Sequence, residues 1–277
     1  MQIPTATQLP ETLVPSVRDA ARDAGDLALR FFRRGEKTVA RVWSKGGGSP
    51  VTEADMAVDE LLKSRLSQAL PDAGWLSEET ADDPIRLTRR LVWIVDPIDG
   101  TRAFLTGHPD WCVAIALLID GRPVHGIVYA PVQDAFYEAS LGGGAFRNGR
   151  RLEVSGAKIL SGARAAGPKP LLDDFERAAG PIHRISKIPS LALRIVRVAE
   201  GAIDVGFASS SARDWDLAAA DLIVHEAGGC LTDFAGTKLL YNKSEPVHAE
   251  LAASPARLHP RVIEAMTARW RTATTSR

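Results

Sequence analysis

The sequence predicts a layered α/β or α+β sandwich. Three observations predict it. Short apolar runs bounded by turn residues crowd the first half. Strand and helix patterns alternate in the second. The chain is also long and apolar enough to fill more than one layer: its 277 residues are 45% hydrophobic and 25% charged, which supports a core without disulfides or structural metal. It reads as one domain, with an N-terminal α+β lobe over about 1–150 and a C-terminal α/β lobe over about 151–277.

The elements follow in order. Leu13, Val17, Ala20, Ala21, Ala24, Leu27, Ala28 and Phe31 recur at helical spacing and predict an amphipathic packing helix over 11–34. A glycine-rich loop, Lys45-Gly46-Gly47-Gly48-Ser49-Pro50, separates it from a second helix with Ala54, Ala57, Val58, Leu61, Leu62 and Leu66 on one side; Thr52 is its predicted N-cap. Residues 75–77 predict a short strand ending at Glu78-Glu79. Residues 91–95 form a compact apolar run that stops at Asp96-Pro97, short and sharply bounded as a buried strand is. The runs 112–118 and 124–129 flank Asp120-Gly121, a hairpin signal, and 134–139 extends the sheet. Gly142-Gly143-Gly144 and Asn148-Gly149 add turns. Helices are predicted over 189–200, ended by Gly201, and 216–227, ended by Gly228-Gly229, with a frayed terminus at 271–277.

Charge and cysteine usage narrow the function classes. With 34 basic and 34 acidic side chains the formal net charge is zero, so no overall basic field argues for a nucleic-acid partner. The two cysteines, Cys112 and Cys230, form no Cys-x-x-Cys pair and lie in apolar segments, which predicts buried free thiols. Residues 1–10 carry no basic start followed by an apolar run, and no stretch is apolar for long enough to span a bilayer. The expectation is a cytoplasmic protein with neither membrane nor nucleic acid as partner.

The segment Trp93-Ile94-Val95-Asp96-Pro97-Ile98-Asp99-Gly100-Thr101 is the sharpest chemical signal. A buried strand would deliver two carboxylates three residues apart at its end; Pro97 stiffens the turn and Gly100 lets backbone approach a ligand. A helix starting near Thr101 would aim free N–H groups at the same point, suiting an anion beside metal-bound carboxylates. A hard cation such as Mg2+ takes oxygen ligands and keeps substrate phosphate in its shell. Taken alone, Asp-Pro-x-Asp-Gly also reads as a strand end followed by an acidic turn. His225 lies in an apolar helical pattern and is expected as a core or interface histidine, since Mg2+ prefers oxygen donors.

Asp96-Pro97-Ile98-Asp99-Gly100-Thr101 resembles the signature of the inositol monophosphatase family of phosphatases, whose relatives include 3′(2′),5′-bisphosphate nucleotidases, histidinol-phosphatases and fructose-1,6-bisphosphatases. Trp215-Asp216-Leu217-Ala218-Ala219-Ala220, running into Glu226-Ala227-Gly228-Gly229, resembles a second signature. Ser49-Pro50-Val51-Thr52-Glu53-Ala54-Asp55 and Ser77-Glu78-Glu79 fall in the family's order, so the resemblance spans 45–229. It implies an α-β-α-β-α sandwich of the sugar-phosphatase type, a homodimer, and hydrolysis of a small phosphorylated substrate with two or three Mg2+ ions. It also implies individual roles. Glu78, Asp96 and the Ile98 carbonyl would ligate a first metal; Asp96, Asp99 and Asp216 would hold a second. Glu78 and Thr101 would orient the attacking water, Asp55 would direct the Thr101 hydroxyl, and the amides of Gly100 and Thr101 would cradle the phosphate. Lys45 matches a family lysine near the metals.

Two departures bear on the substrate. Inositol-specific members carry a glutamate seven residues before the Trp-Asp aspartate, where this chain has Ser209; the nucleotidase and histidinol-phosphatase branches often carry an aspartate where it has Gly47. With the Lys45-to-Asp55 spacing, and with Ser209 and Arg213 available to grip a second phosphate or a ribose, the expectation is a 3′(2′),5′-bisphosphate nucleotidase. An inositol-1-phosphate or other sugar-phosphate phosphatase is the alternative. A regulatory binding protein retaining the fold is the alternative from another class.

Overall fold

Two sheets organise the chain. The structure, a computed structural model, describes residues 12–44 and 49–274, with side chains as far as Thr267. In order the elements are α1 (Leu13–Phe31), β1 (Val42–Ser44), β2 (Pro50–Thr52), α2 (Glu53–Ala69), β3 (Gly74–Ser77), β4 (Leu91–Asp99), α3 (Thr101–Leu105), β5 (Cys112–Ile119), β6 (Arg122–Ala130), β7 (Ala135–Ser140), β8 (Gly144–Arg147), β9 (Arg150–Arg151), β10 (Arg164–Ala166), α4 (Lys169–Ala179), β11 (His183–Arg184), α5 (Leu191–Ala199), β12 (Val205–Ala208), α6 (Asp214–Glu226), β13 (Gly229–Asp233), β14 (Leu251–Pro255) and α7 (His259–Thr274).

The larger sheet runs β3-β4-β5-β6-β7-β8-β9 and the smaller β11-β10-β12-β14-β13. Every neighbour pair in the larger sheet is antiparallel except β3 with β4. Residues alternate between faces along β4. Trp93 and Val95 pack with Val17 and Leu62 of α1 and α2, while Val92 and Ile94 pack with Leu193 and Ile223 of α5 and α6. The smaller sheet turns Ala253 toward that same middle core and Phe207 and Ala252 toward Val262 of α7 and Phe175 of α4. The layers are therefore helix, sheet, helix, sheet, helix, as the resemblance implies. Burial on both faces explains why β5 reads as an unbroken apolar run rather than an alternating one.

Most predicted elements are present with shifted ends. The Asp120-Gly121 hairpin forms, with both residues at positive φ (49° and 75°). Strand β4 does not stop at Val95 but runs to Asp99, its pairing irregular between Asp96 and Asp99, where Pro97 withholds a donor. Helix α6 begins two residues earlier than its apolar pattern, at Asp214. His225 is exposed rather than in the core, in the last turn of α6, and Cys230 is only half-buried near the start of β13. Glu11, Lys45 and Gly47 lie outside the described residues. No helix among the described residues is long and apolar enough to cross a membrane.

The middle layer leaves no slack where α6 crosses β6. A Cβ at Gly126 would stand 2.9 Å from the carbonyl oxygen and 3.1 Å from the Cα of Ala219, both backbone atoms. Gly126→Ala is expected to lower the denaturant midpoint by an amount corresponding to about 1–3 kcal/mol, the usual cost of overpacking. An unchanged midpoint would show that the α6–β6 contact yields.

Candidate metal centre and active site

Segments distant in sequence converge at the end of β4. Because β3 runs parallel to β4 with Ser77 opposite Val95, Glu78 leaves the sheet alongside Asp96, its amide donating to the Val95 carbonyl at 3.3 Å. Asp59, buried on α2, fixes this segment from behind by accepting from the hydroxyls of Ser77 and Thr80 at 2.5 Å each.

Two of the carboxylates are placed by helix capping. Asp55 is the third residue of α2; its Oδ2 accepts the Thr52 amide at 2.8 Å and the Thr52 hydroxyl at 2.5 Å, completing a capping box. Its other oxygen is left for Thr101, whose hydroxyl lies 3.5 Å from Asp55 Oδ1 and 3.3 Å from the Ile98 carbonyl. Asp216 is likewise the third residue of α6, its Oδ2 accepting the Arg213 amide at 2.7 Å. The local rule that puts an acidic residue at this helix position also aims both side chains back into the cleft.

Asp96 and Asp99 come from the irregular end of β4. Asp96 Oδ1 accepts the Ile98 amide at 3.0 Å, whereas Oδ2 is buried and has no hydrogen-bond partner among the described residues. Gly100 follows at φ +97°, where a Cβ would meet the Asp110 carbonyl at 3.1 Å and Ser190 Cβ at 3.3 Å, so the chain turns there only without a side chain. Thr101 then begins α3. Oxygens of Asp96, Asp99 and Asp216 all lie within 4.8 Å of one another.

This crowding is costly in the protein alone. Burial pushes Asp96 well above the ordinary carboxylate range, and the charges of Glu78, Asp99, Asp216 and Asp55 push it further. Burial also raises Asp99, partly countered by the hydroxyl of Ser190 and the amides of Ala192 and Leu191. Asp216 is raised well above its usual value by desolvation and then by Asp99. Desolvation raises Asp55 to about 6 despite its bonds to Thr52. An all-oxygen donor set, a mutually repelling trio and a buried oxygen without a partner among the described residues fit a hard divalent cation, which would supply positive charge and a partner for Asp96 Oδ2.

The expected substrate contacts sit at the rim. Ser209 is exposed on the turn after β12, its carbonyl accepting the Ser211 amide at 2.9 Å. Arg213 is also exposed, its guanidinium 5.8 Å from the Trp215 ring and its charge acting on Asp216. Sequence patterns did not reveal two residues that touch a functional group, Ser190 and Cys112, or one that braces the segment beside Glu78, Asp59. Asp59 lies one helical turn beyond Asp55. Ser190 is the N-cap of α5 and bonds Asp99. The buried Cys112 thiol lies 3.9 Å from Asp99 Oδ2. Of these, only Ser190 left a local signal, as a serine directly before a helical pattern.

The sequence matches the inositol monophosphatase family over residues 10–271. Inositol monophosphatase 2 of Solanum lycopersicum is 36% identical over 241 residues, covering 82% of this chain and 89% of that protein. Nus factor SuhB of Xylella fastidiosa is 33% identical over 229 residues, covering 78% and 80%. The crystal structure of the extragenic suppressor protein SuhB from Bartonella henselae superposes with a TM-score of 0.80 at 30% identity, covering 92% of this chain and 98% of that one. With the family's metal-dependent chemistry met by a carboxylate cluster at the end of β4, the chain belongs to the inositol monophosphatase family and is a phosphoric monoester hydrolase.

Proposed function

We propose that this protein is a Mg2+-dependent hydrolase of small polyol phosphates of the inositol type. The observation that carries the proposal is the orphaned Asp96 Oδ2 at the centre of the Asp96–Asp99–Asp216 trio, beside the start of α3. Glu78, Asp96 and the Ile98 carbonyl would hold one ion, and Asp96, Asp99 and Asp216 would hold a second. Bound Mg2+ supplies charge neutralisation of the phosphate and acidification of water. The chain's own groups do the rest. Asp55 accepts the Thr101 proton, which turns the Thr101 oxygen's lone pairs toward the attacking water. Glu78 orients that water from the other side, and the amides of Gly100 and Thr101 receive the phosphate oxygens. Positioning and electrostatics are most of what phosphoryl transfer asks of a protein, and no side chain forms a covalent bond. A homodimer is part of the proposal.

The inositol name of the Solanum lycopersicum relative favours polyol phosphates over the nucleotidase activity expected from the sequence. Arg213 over Trp215 supports the nucleotidase as a second reading, since this pair can receive an additional anionic group. The test is Mg2+-dependent phosphate release from myo-inositol 1-phosphate, fructose 1,6-bisphosphate, histidinol phosphate and 3′-phosphoadenosine 5′-phosphate, each repeated with Asp99→Asn. The highest kcat/KM is expected on myo-inositol 1-phosphate and its loss in the variant. Release confined to the nucleotide would replace the polyol reading. No metal-dependent release would favour the regulatory role suggested by the Nus-factor name of the Xylella fastidiosa relative.

Arg213 gives a sharper separation. Arg213→Ala is expected to raise KM for the bisphosphates by about 10-fold, the loss of one charge-assisted hydrogen bond, with kcat and the inositol phosphate KM little changed. Equal effects on all four substrates would make Arg213 a support for Asp216 instead of a substrate contact.

A further inference from the structure

We infer that Ser190 positions Asp99 for the metal centre, making the N-terminus of α5 part of that centre's frame. The inference rests on the proposed reading of Asp99 as a metal ligand. Asp99 ends β4 in the larger sheet, and Ser190 caps a helix of the middle layer 91 residues later. The fully buried Ser190 hydroxyl donates to Asp99 Oδ2 at 2.5 Å, and the Ala192 amide donates to the same oxygen at 2.7 Å. The Leu191 amide reaches Oδ1 at 3.2 Å.

The hydroxyl has a second bond that fixes its direction. Ser190 Oγ accepts the Leu193 amide at 3.0 Å, as an N-cap does. Capping uses a lone pair and leaves the single hydroxyl proton for Asp99. Oδ2 is thus occupied by two short donors, and Oδ1, with one longer bond, is the oxygen with capacity left for a cation. An N-cap alone would need only the acceptor. The donated proton is the feature that ties the helix to the carboxylate, and groups that fix a metal ligand in this way govern how well the metal is held.

The experiment measures Mg2+ affinity by calorimetry on the metal-stripped full chain, with no substrate present. Ser190→Ala is expected to bind Mg2+ on the order of 10-fold more weakly. Ala199→Gly, which weakens the same helix at its other end, is expected to lower Tm while keeping the parental affinity. An S190A protein that loses Tm alone, as A199G does, would make Ser190 a cap and nothing more, overturning the inference. Unchanged affinity in both S190A and Asp99→Asn would remove Asp99 from the ligand set, and the inference with it. Should S190A not fold, hydrogen exchange on the unaltered chain decides. Protection of the Leu191 and Ala192 amides is expected to rise on adding Mg2+, and no change at either amide would overturn the coupling.

Discussion

Asp96→Asn is expected to lose phosphate release by about a thousandfold or more, while its metal-free form unfolds at a higher temperature than the parent. The loss follows from the place of Asp96 between the two proposed ion positions. Replacing the carboxylate by an amide removes a full charge from both; forfeiting on the order of 4 kcal/mol of metal-derived stabilisation of the transition state corresponds to about 10³ in rate. The gain follows from the same residue without metal. Asp96 is 1% exposed, leaves Oδ2 without a partner among the described residues and faces the charges of Glu78, Asp99, Asp216 and Asp55. Near neutral pH it must either bury its charge or take up a proton, and both cost free energy that a neutral amide does not. The Oδ1 bond from the Ile98 amide survives in asparagine, and the new NH2 group can donate to the neighbouring carboxylates. Removing such a buried charge stabilises by about 1–4 kcal/mol. Turnover and a thermal melt in chelator check both halves. An inactive variant that melts lower than the parent would show that Asp96 holds the fold rather than storing repulsion for a cation. An active one would end the metal assignment.

That opposition between stability and function explains which parts of the molecule could be read from the sequence. The packing of β4 was legible because Trp93, Ile94 and Val95 obey burial, and the hairpin at Asp120-Gly121 was legible because its backbone admits few residue types. Asp55 was legible through its resemblance to a family motif and Thr52 as the N-cap before it; that the Asp55 carboxylate completes a capping box with Thr52 emerges only from the fold. The extension of β4 through Pro97 was not legible, because proline ordinarily ends a pattern and only the neighbouring strand β5 shows that pairing resumes at Asp99. Of the two readings of His225, core or interface, the core one fails for a related reason: periodicity assigns a face of the helix but not where the covering layer ends. Asp59, Cys112 and Ser190 act on the site across 18, 13 and 91 residues respectively, separations at which no spacing rule operates.

Mg2+ is expected to raise Tm more at pH 8 than at pH 5, and the sign follows from the carboxylates of the cleft. In the metal-free protein Asp55, Asp96, Asp99 and Asp216 all sit above their ordinary values, Asp55 at about 6. A carboxyl raised on folding contributes its stability in full below its unfolded value, and that contribution is lost as pH rises through its folded value. The metal-free protein therefore loses this contribution upward from about pH 4, near the unfolded carboxylate value. Mg2+ requires these groups deprotonated, so its affinity rises over the same interval in which the metal-free fold weakens. At 100 times its dissociation constant a ligand adds about 2.7 kcal/mol, and a domain of this size gains about 2–4 °C per kcal/mol. A shift of about 5–10 °C at pH 8 and close to none at pH 5 is the expected pattern. The difference between melts with Mg2+ and with chelator isolates it. Groups far from the cleft titrate alike in both, including Asp173 and Glu176, lowered by their hydrogen bonds to Lys169 and Arg184, and Asp221, raised by burial to about 6 beside Tyr241. Ca2+, with its looser coordination, is expected to reproduce the shift without supporting turnover, separating the charge that holds the cleft together from the geometry that orients the water. A Mg2+ shift that is flat with pH, or larger at pH 5, would mean that the cation binds elsewhere and that the raised carboxylates are not its ligands.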